Sequence, residues 1–226
     1  MTKSNFQLPL QQLEYTPSNH KIFCESCIYA KVTRKSVPDI HEWKRALDFS
    51  GEVHSDLWEK SPVEYKSGKL YYMTFIDDKT RLTHLYFLRK KDETFDAYKK
   101  YKAWVETQMN KKIKVLNSDR GEEYQGEGMV NYLKSKGTEQ TLNVHDTPQH
   151  AGVAECQNKT ISECVWALLH ASGLPKNLWA KAARHVVWLL NRMTIKAVEG
   201  MTLYKAVFGK KPDLSGLCKW GEKVYV

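Results

Sequence analysis

The chain has 226 residues, enough for one domain with a substantial core plus flanking segments. No stretch is long and apolar enough to span a membrane, and Met1-Thr2-Lys3-Ser4-Asn5-Phe6 lacks the apolar core of a secretory signal. A net charge of +9 and a pI near 9.2 favour a polyanionic partner, because cationic side chains release condensed counterions from phosphate backbones.

Residues 1–19 are polar and show no clear period. Residues 20–50 carry Cys24-Glu25-Ser26-Cys27 and a basic stretch of Lys31, Arg34, Lys35, Lys44 and Arg45, interrupted by Val37-Pro38-Asp39. Five cysteines is an odd count, and only Cys24 and Cys27 are close in sequence. That pattern argues for a reducing, intracellular setting rather than a disulfide framework. Cys24 and Cys27 can supply two of the four ligands of a structural zinc, whereas Cys156, Cys164 and Cys218 read as small packing residues.

From Gly51 the pattern becomes regular. Glu52 to Leu57 is a first strand, and the aromatic, β-branched run Leu70 to Ile76 is a second. Asp77-Asp78-Lys79-Thr80 is turn chemistry that leads into a third strand over Leu82 to Leu88. Glu93 to Gln108 is a helix, Ile113 to Leu116 a fourth strand, Gly126 to Lys136 a second helix ended by Gly137, and Thr138 to Thr141 a short fifth strand. Two long helices follow. In the first, Ile161, Cys164, Val165, Leu168 and Leu169 form a buried stripe, and Gly173 stops it. The second starts near Pro175 and runs to Arg192; Trp166 of the first helix and Trp179 and Trp188 of the second sit at helical spacing and read as mostly core. Gly200 to Val226 reads as irregular. The expected fold class is α/β, a mixed five-stranded sheet flanked by helices.

Three carboxylates stand out. Asp56 lies in Val53-His54-Ser55-Asp56-Leu57, and Asp119 follows the fourth strand. Glu155 opens a helix after Pro148 and a turn at Gly152, about 110° from the centre of the apolar stripe and so off the core face. Two strand-end carboxylates and one helical carboxylate can converge, and such a cluster is costly unless a cation neutralises it. Two hard divalent ions about 4 Å apart are the usual clamp for in-line displacement at a phosphate. Asp77 and Asp78 are rival carboxylates, read as hairpin-turn residues. Asn158 and Lys159 follow Glu155 at i+3 and i+4, beside it on the helix surface. His54, His145 and His150 read as satisfied loop histidines that can also reach DNA.

The segments His54-Ser55-Asp56-Leu57-Trp58, Phe75-Ile76-Asp77-Asp78-Lys79-Thr80-Arg81, Asn117-Ser118-Asp119-Arg120-Gly121-Glu122-Glu123-Tyr124 and Thr147-Pro148-Gln149-His150-Ala151-Gly152-Val153-Ala154-Glu155 occur in this order. With Leu190-Asn191-Arg192 and Phe208-Gly209-Lys210-Lys211-Pro212, they resemble the integrase of copia-type LTR retrotransposons over most of the chain. The resemblance implies an RNase H-like fold and a DDE active site of Asp56, Asp119 and Glu155 holding Mg²⁺, or Mn²⁺ in vitro. It implies DNA 3′-end processing and strand transfer, with element ends and target DNA as partners. It further implies contacts to DNA from Asn158, Lys159 and His150, and assembly as a homo-multimer. Such a protein is made in the cytoplasm as part of a polyprotein and acts in the nucleus. The implied domains are residues 1–40, the end of a zinc-binding module and linker; 45–210, the catalytic core; and 211–226, the start of a C-terminal extension. Cys24 and Cys27 would belong to a partial Zn²⁺ site in that first module. His20 lies too close to Cys24 to supply the upstream histidine pair of the family. Ala151 stands where the family has Asn, and Cys156 where it has Arg or Lys. These departures motivate an alternative, a catalytically decayed DNA-binding or assembly remnant. An RNase H-type nuclease acting on RNA–DNA hybrids shares the fold and metals.

Overall fold

Runs of aromatic and β-branched residues organise the sheet, whose inner strand Tyr71–Asp77 is buried on both faces. A computed structural model describes residues 45–142, 148–195, 198 and 200–222, and for residues 148–151 the backbone alone. Strands β1 (Glu52–Trp58), β2 (Tyr71–Asp77) and β3 (Thr83–Leu88) form an antiparallel meander. Helix α1 (Thr94–Met109) crosses over to β4 (Val115–Ser118), which pairs parallel to β1. Short helices α2 (Glu122–Gln125) and α3 (Glu127–Ser135) lead to β5 (Glu139–Leu142), parallel to β4. The sheet order is β3-β2-β1-β4-β5. Helices α4 (Pro148–Ser172), α5 (Trp179–Leu190) and α6 (Leu203–Phe208) follow, and short 3-10 turns at Lys91–Glu93 and Lys176–Leu178 lead into α1 and α5.

The sheet is covered on both faces. On one, Val53, Met73 and Phe75 pack against Tyr98, Tyr101 and Val105 of α1 and Met129 and Leu133 of α3. Phe75 is fully buried and stacks on Tyr101 at 4.5 Å between centroids, nearly parallel. Truncating so enclosed an aromatic costs about 3–5 kcal/mol. On the other face, Tyr72 meets Ile161, Val165 and Leu169 of α4 and Trp179, Ala183 and Val186 of α5. Trp58 stacks on Tyr72 at 4.8 Å and leans on Trp179. The expected apolar stripe of α4 is therefore the surface that clamps this helix to the sheet.

Several boundaries differ from expectation. The fourth strand lies two residues later, because the pairing of Val115 with Glu52 begins there. Helix α4 begins at Pro148 and runs through Gly152, so Glu155 lies in its interior. The segment after Gly200 is not wholly irregular: Thr202 accepts a capping bond from the Lys205 amide, and Leu203 buries against Leu82 and Val198 to anchor α6. Trp179 is buried as expected, but Trp188 is only half-buried and lies under the Arg192 guanidinium at 3.9 Å. Cys156 and Cys218 are exposed; of the three expected packing cysteines, only Cys164 joins a core. Cys24, Cys27 and His145 lie outside the described residues, as does the side chain of His150.

Candidate active site

Sheet topology brings two of the three carboxylates together. His54 of β1 and Asn117 of β4 are register partners in the parallel pair. Asp56 and Asp119 each follow two residues later, so both lie just past the carboxyl end of the parallel β1–β4 ladder. In open α/β sheets that edge is where ligands bind. Glu155 is presented from α4, which packs across β1 and β2.

Asp56, Asp119 and Glu155 line a single cleft of about 810 Å³. Lys60, Lys159, Glu163 and Trp166 share its walls. Asp119 and Glu155 are exposed and Asp56 is half-buried. Burial raises the Asp56 carboxyl above the usual carboxylate range, and the Asp119 and Glu155 charges raise it further. A hydrogen bond from Asn158 opposes this rise. Asp119 Oδ1 accepts from the Gly121 amide at 3.1 Å, a local turn that fixes where the carboxylate leaves β4.

The donor chemistry fits a hard divalent cation. Three carboxylates supply only oxygen ligands, and their mutual repulsion at Asp56 is what a cation would relieve. Among the described residues, no three His, Cys, Asp or Glu side chains converge tightly enough to hold one ion.

Asn158 occupies a place that differs from expectation. It is 4% exposed rather than on the helix surface, lines the cleft, and bonds within the protein. Its Nδ2 donates to Asp56 Oδ2 at 2.8 Å, and its Oδ1 accepts from the Thr74 hydroxyl at 3.1 Å. Thr74 is the strand partner of Asp56, so the three residues form a closed brace between β1, β2 and α4. A sequence signal for this existed. Asn158 stands seven residues before Val165 and four after Ala154, both buried, so it continues the apolar stripe. Lys159, one position on, is exposed and lines the cleft.

Asp77 and Asp78 form the hairpin turn, as expected, but both are fully buried. Asp77 accepts from the Ser50 amide at 2.6 Å and from the Thr80 amide and hydroxyl. Burial raises its carboxyl, with those bonds opposing. Asp78 accepts from the Ala46 amide at 2.7 Å and from His54 Nε2 at 3.0 Å. Burial acts to raise Asp78 too, but the His54 bond, the Ala46 bond and the Arg81 charge outweigh it and hold the carboxyl low. His54 is thus a buried strand histidine rather than a loop one.

No family model matches the chain. It is 37% identical over 169 residues to the Retrovirus-related Pol polyprotein from transposon TNT 1-94 of Nicotiana tabacum, covering 75% of this chain and 13% of that polyprotein. It is 29% and 27% identical, over 98% of its length, to the corresponding polyproteins from transposons RE2 and RE1 of Arabidopsis thaliana. The chain spans 15% and 14% of those two. Among solved structures, the simian T-cell lymphotropic virus intasome in complex with PP2A regulatory subunit B56 gamma aligns over 86% of this chain and 65% of the matched chain, with a TM-score of 0.59 at 15% identity. The HTLV-2 integrase catalytic core domain in complex with magnesium aligns over 72% of this chain and 99% of its own, with a TM-score of 0.53 at 16% identity. At such identities the structural likeness establishes the RNase H-like fold. With the sequence matches it identifies the chain as a region of a copia-type retrotransposon Pol polyprotein, the region that folds as an integrase catalytic core.

Proposed function

We propose that this chain is a DNA polynucleotidyl transferase that processes the 3′ ends of element DNA and joins them to target DNA. The observation that carries the reading is the meeting of Asp56, Asp119 and Glu155 at one cleft. Divalent ions held by the three carboxylates would supply activation of the attacking oxygen and stabilisation of the leaving oxygen. Mg²⁺ is the natural candidate, since the similar HTLV-2 core was solved with magnesium. Asp56 is the buried, braced ligand, whereas Asp119 and Glu155 are exposed ligands that can move inward as an ion binds. Lys159 and Lys60, on the cleft walls, would neutralise phosphates of the bound strand.

Two copies at least would act together, because two element ends must be joined to one target; the similar simian virus chain belongs to an intasome. Action on chromosomal DNA places the working protein in the nucleus. Among the described residues no helix is long and apolar enough to cross a membrane. Residues 45–210 would form the catalytic core, with Cys24 and Cys27 contributing to a separate zinc-binding module upstream.

The test is a substrate comparison. The chain is incubated with Mg²⁺ or Mn²⁺ and either short blunt DNA ends with target duplex or an RNA–DNA hybrid. Joined DNA products support the reading. Hybrid cleavage without joining would assign the site to an RNase H-type nuclease, and binding without either reaction would assign it to a decayed core.

A further inference from the structure

Beneath the two strand-borne carboxylates runs a polar row that the reaction itself does not use. Asn117 Nδ2 donates to Glu52 Oε1 across the β4–β1 boundary. Glu52 Oε1 lies 3.9 Å from His54 Nε2, and His54 Nε2 lies 3.0 Å from Asp78 Oδ1. The Arg81 guanidinium closes on the same Asp78 oxygen at 3.2 Å. Arg81 sits at φ 62°, a left-handed conformation that L side chains seldom adopt, so the turn is bent into this arrangement. His54, Asp78 and Asn117 are each no more than 1% exposed.

The placement of this row matters more than its composition. His54 and Asn117 are register partners, and each stands two residues before a cleft carboxylate. In a strand, residues two apart point to the same face. A slip of one residue between β1 and β4 would turn Asp56 and Asp119 to opposite faces. β4 has four residues and the described β1–β4 ladder spans only Glu52 to His54, with the buried pair Val53–Leu116 as its apolar contact and the Asn117–Glu52 bond beside it. The Asp77–Asp78 turn also ties down the Ala46 and Ser50 amides just before β1.

We propose that Asn117 and Glu52, with His54 and Asp78 holding β1 against the β2–β3 turn, act as positioning residues that fix the register of β1 against β4 and so set Asp56 opposite Asp119. The proposal rests on the reading of those carboxylates as a metal-holding pair. Removing groups bonded directly to metal ligands commonly costs 10–100-fold in metal affinity; these residues act one contact further back, so an effect of about ten-fold is expected.

Glu52 is the variant of choice because its side chain is 20% exposed and its loss leaves the apolar cores intact. Amide hydrogen exchange and Mn²⁺ binding by calorimetry are measured on the full chain, on Glu52→Ala, on Glu52→Gln, which keeps an acceptor for Asn117, and on Asp78→Asn. The expected result for Glu52→Ala is exchange about ten-fold faster at Val53–Leu57 and Val115–Ser118, with the β2–β3 amides unchanged. Its Mn²⁺ dissociation constant rises about ten-fold and Glu52→Gln restores most of both, whereas Asp78→Asn, whose partners lie on β1 and in its own turn, also speeds exchange in the β2–β3 turn. Unchanged exchange would overturn the proposal. So would acceleration spread equally over all strands, or selective loss of protection with unaltered Mn²⁺ affinity. If the parent chain binds no Mn²⁺, the metal reading of the site fails, and the register lock is judged on the exchange pattern alone.

Discussion

Asn158 on α4 donates its side-chain amide to Asp56 on β1 across 2.8 Å, joining the helix that carries Glu155 to the strand that carries the buried carboxylate. Thr74 fixes the orientation of that amide by donating to its oxygen at 3.1 Å. The bond also favours the ionised form of Asp56 against the burial and the neighbouring charges that oppose it. Position and ionisation of Asp56 are therefore set by the same side chain.

Asn158→Ala should lower metal-dependent joining roughly ten- to hundred-fold while the chain stays folded. It should also move the acidic limb of the rate profile to higher pH, because removing the bond raises the Asp56 carboxyl further. Rates measured against pH for parent and variant check both parts. An equal fall in rate at all pH values would show that the amide positions Asp56 without tuning it.

Asp56→Asn should raise thermal stability in the absence of divalent ions. The folded protein holds the Asp56 carboxyl above its unfolded range, so the ionised group weakens the fold at neutral pH. That penalty disappears as pH falls through the raised folded value, and the difference between parent and variant should close with it. Adding Mg²⁺ should raise the Tm of the parent and leave that of the variant unchanged. Melting curves with and without Mg²⁺ at neutral and acid pH test this.

Asp77→Asn should lose stability even though burial raises this carboxyl too, because its hydrogen bonds outweigh the gain from neutralising it. Asp77 accepts three hydrogen bonds with no part of its side chain in the cleft, so a neutral amide leaves a donor facing a donor. The expected cost is about 1–3 kcal/mol of stability. Once the difference in folded fraction is taken into account, joining activity should be retained. Denaturant titration and the joining assay together separate this residue from Asp56.

Asn191 seals the outer edge of the sheet. Its side chain accepts from the Thr83 amide at 3.0 Å and donates to the Thr83 carbonyl at 2.8 Å, in place of a neighbouring strand. Asn191→Ala should cost about 1–3 kcal/mol, seen as a lower Tm, with Mn²⁺ affinity unaltered.

Much of this architecture is legible in the residues, for physical reasons. The continuous aromatic and β-branched run of Tyr71–Asp77 and the 3.6-residue stripe of Ile161, Val165 and Leu169 are strong signals. Asp56, Asp119 and Glu155 stand out because each interrupts or flanks such a pattern. Asn158 was harder to read: a polar residue beside a charged one looks solvated, and its burial depends on α4 crossing Tyr72 and Thr74 at that point. Asp77 and Asp78 have the composition of an ordinary turn, and only the return of Ala46 and Ser50 to the β2 end buries them. Helix α6 has too few residues to show a period, and its start depends on the Thr202 cap and on Leu203 finding Leu82.

The measurement that bears most directly on the central claim is a strand-transfer assay with Mg²⁺ on short blunt DNA ends, run on this chain and on its Glu155→Gln variant. Joined products from the parent and none from the variant, with DNA binding equal in both, is the predicted result. Equal joining by both would contradict the assignment of Glu155, and with it the three-carboxylate site.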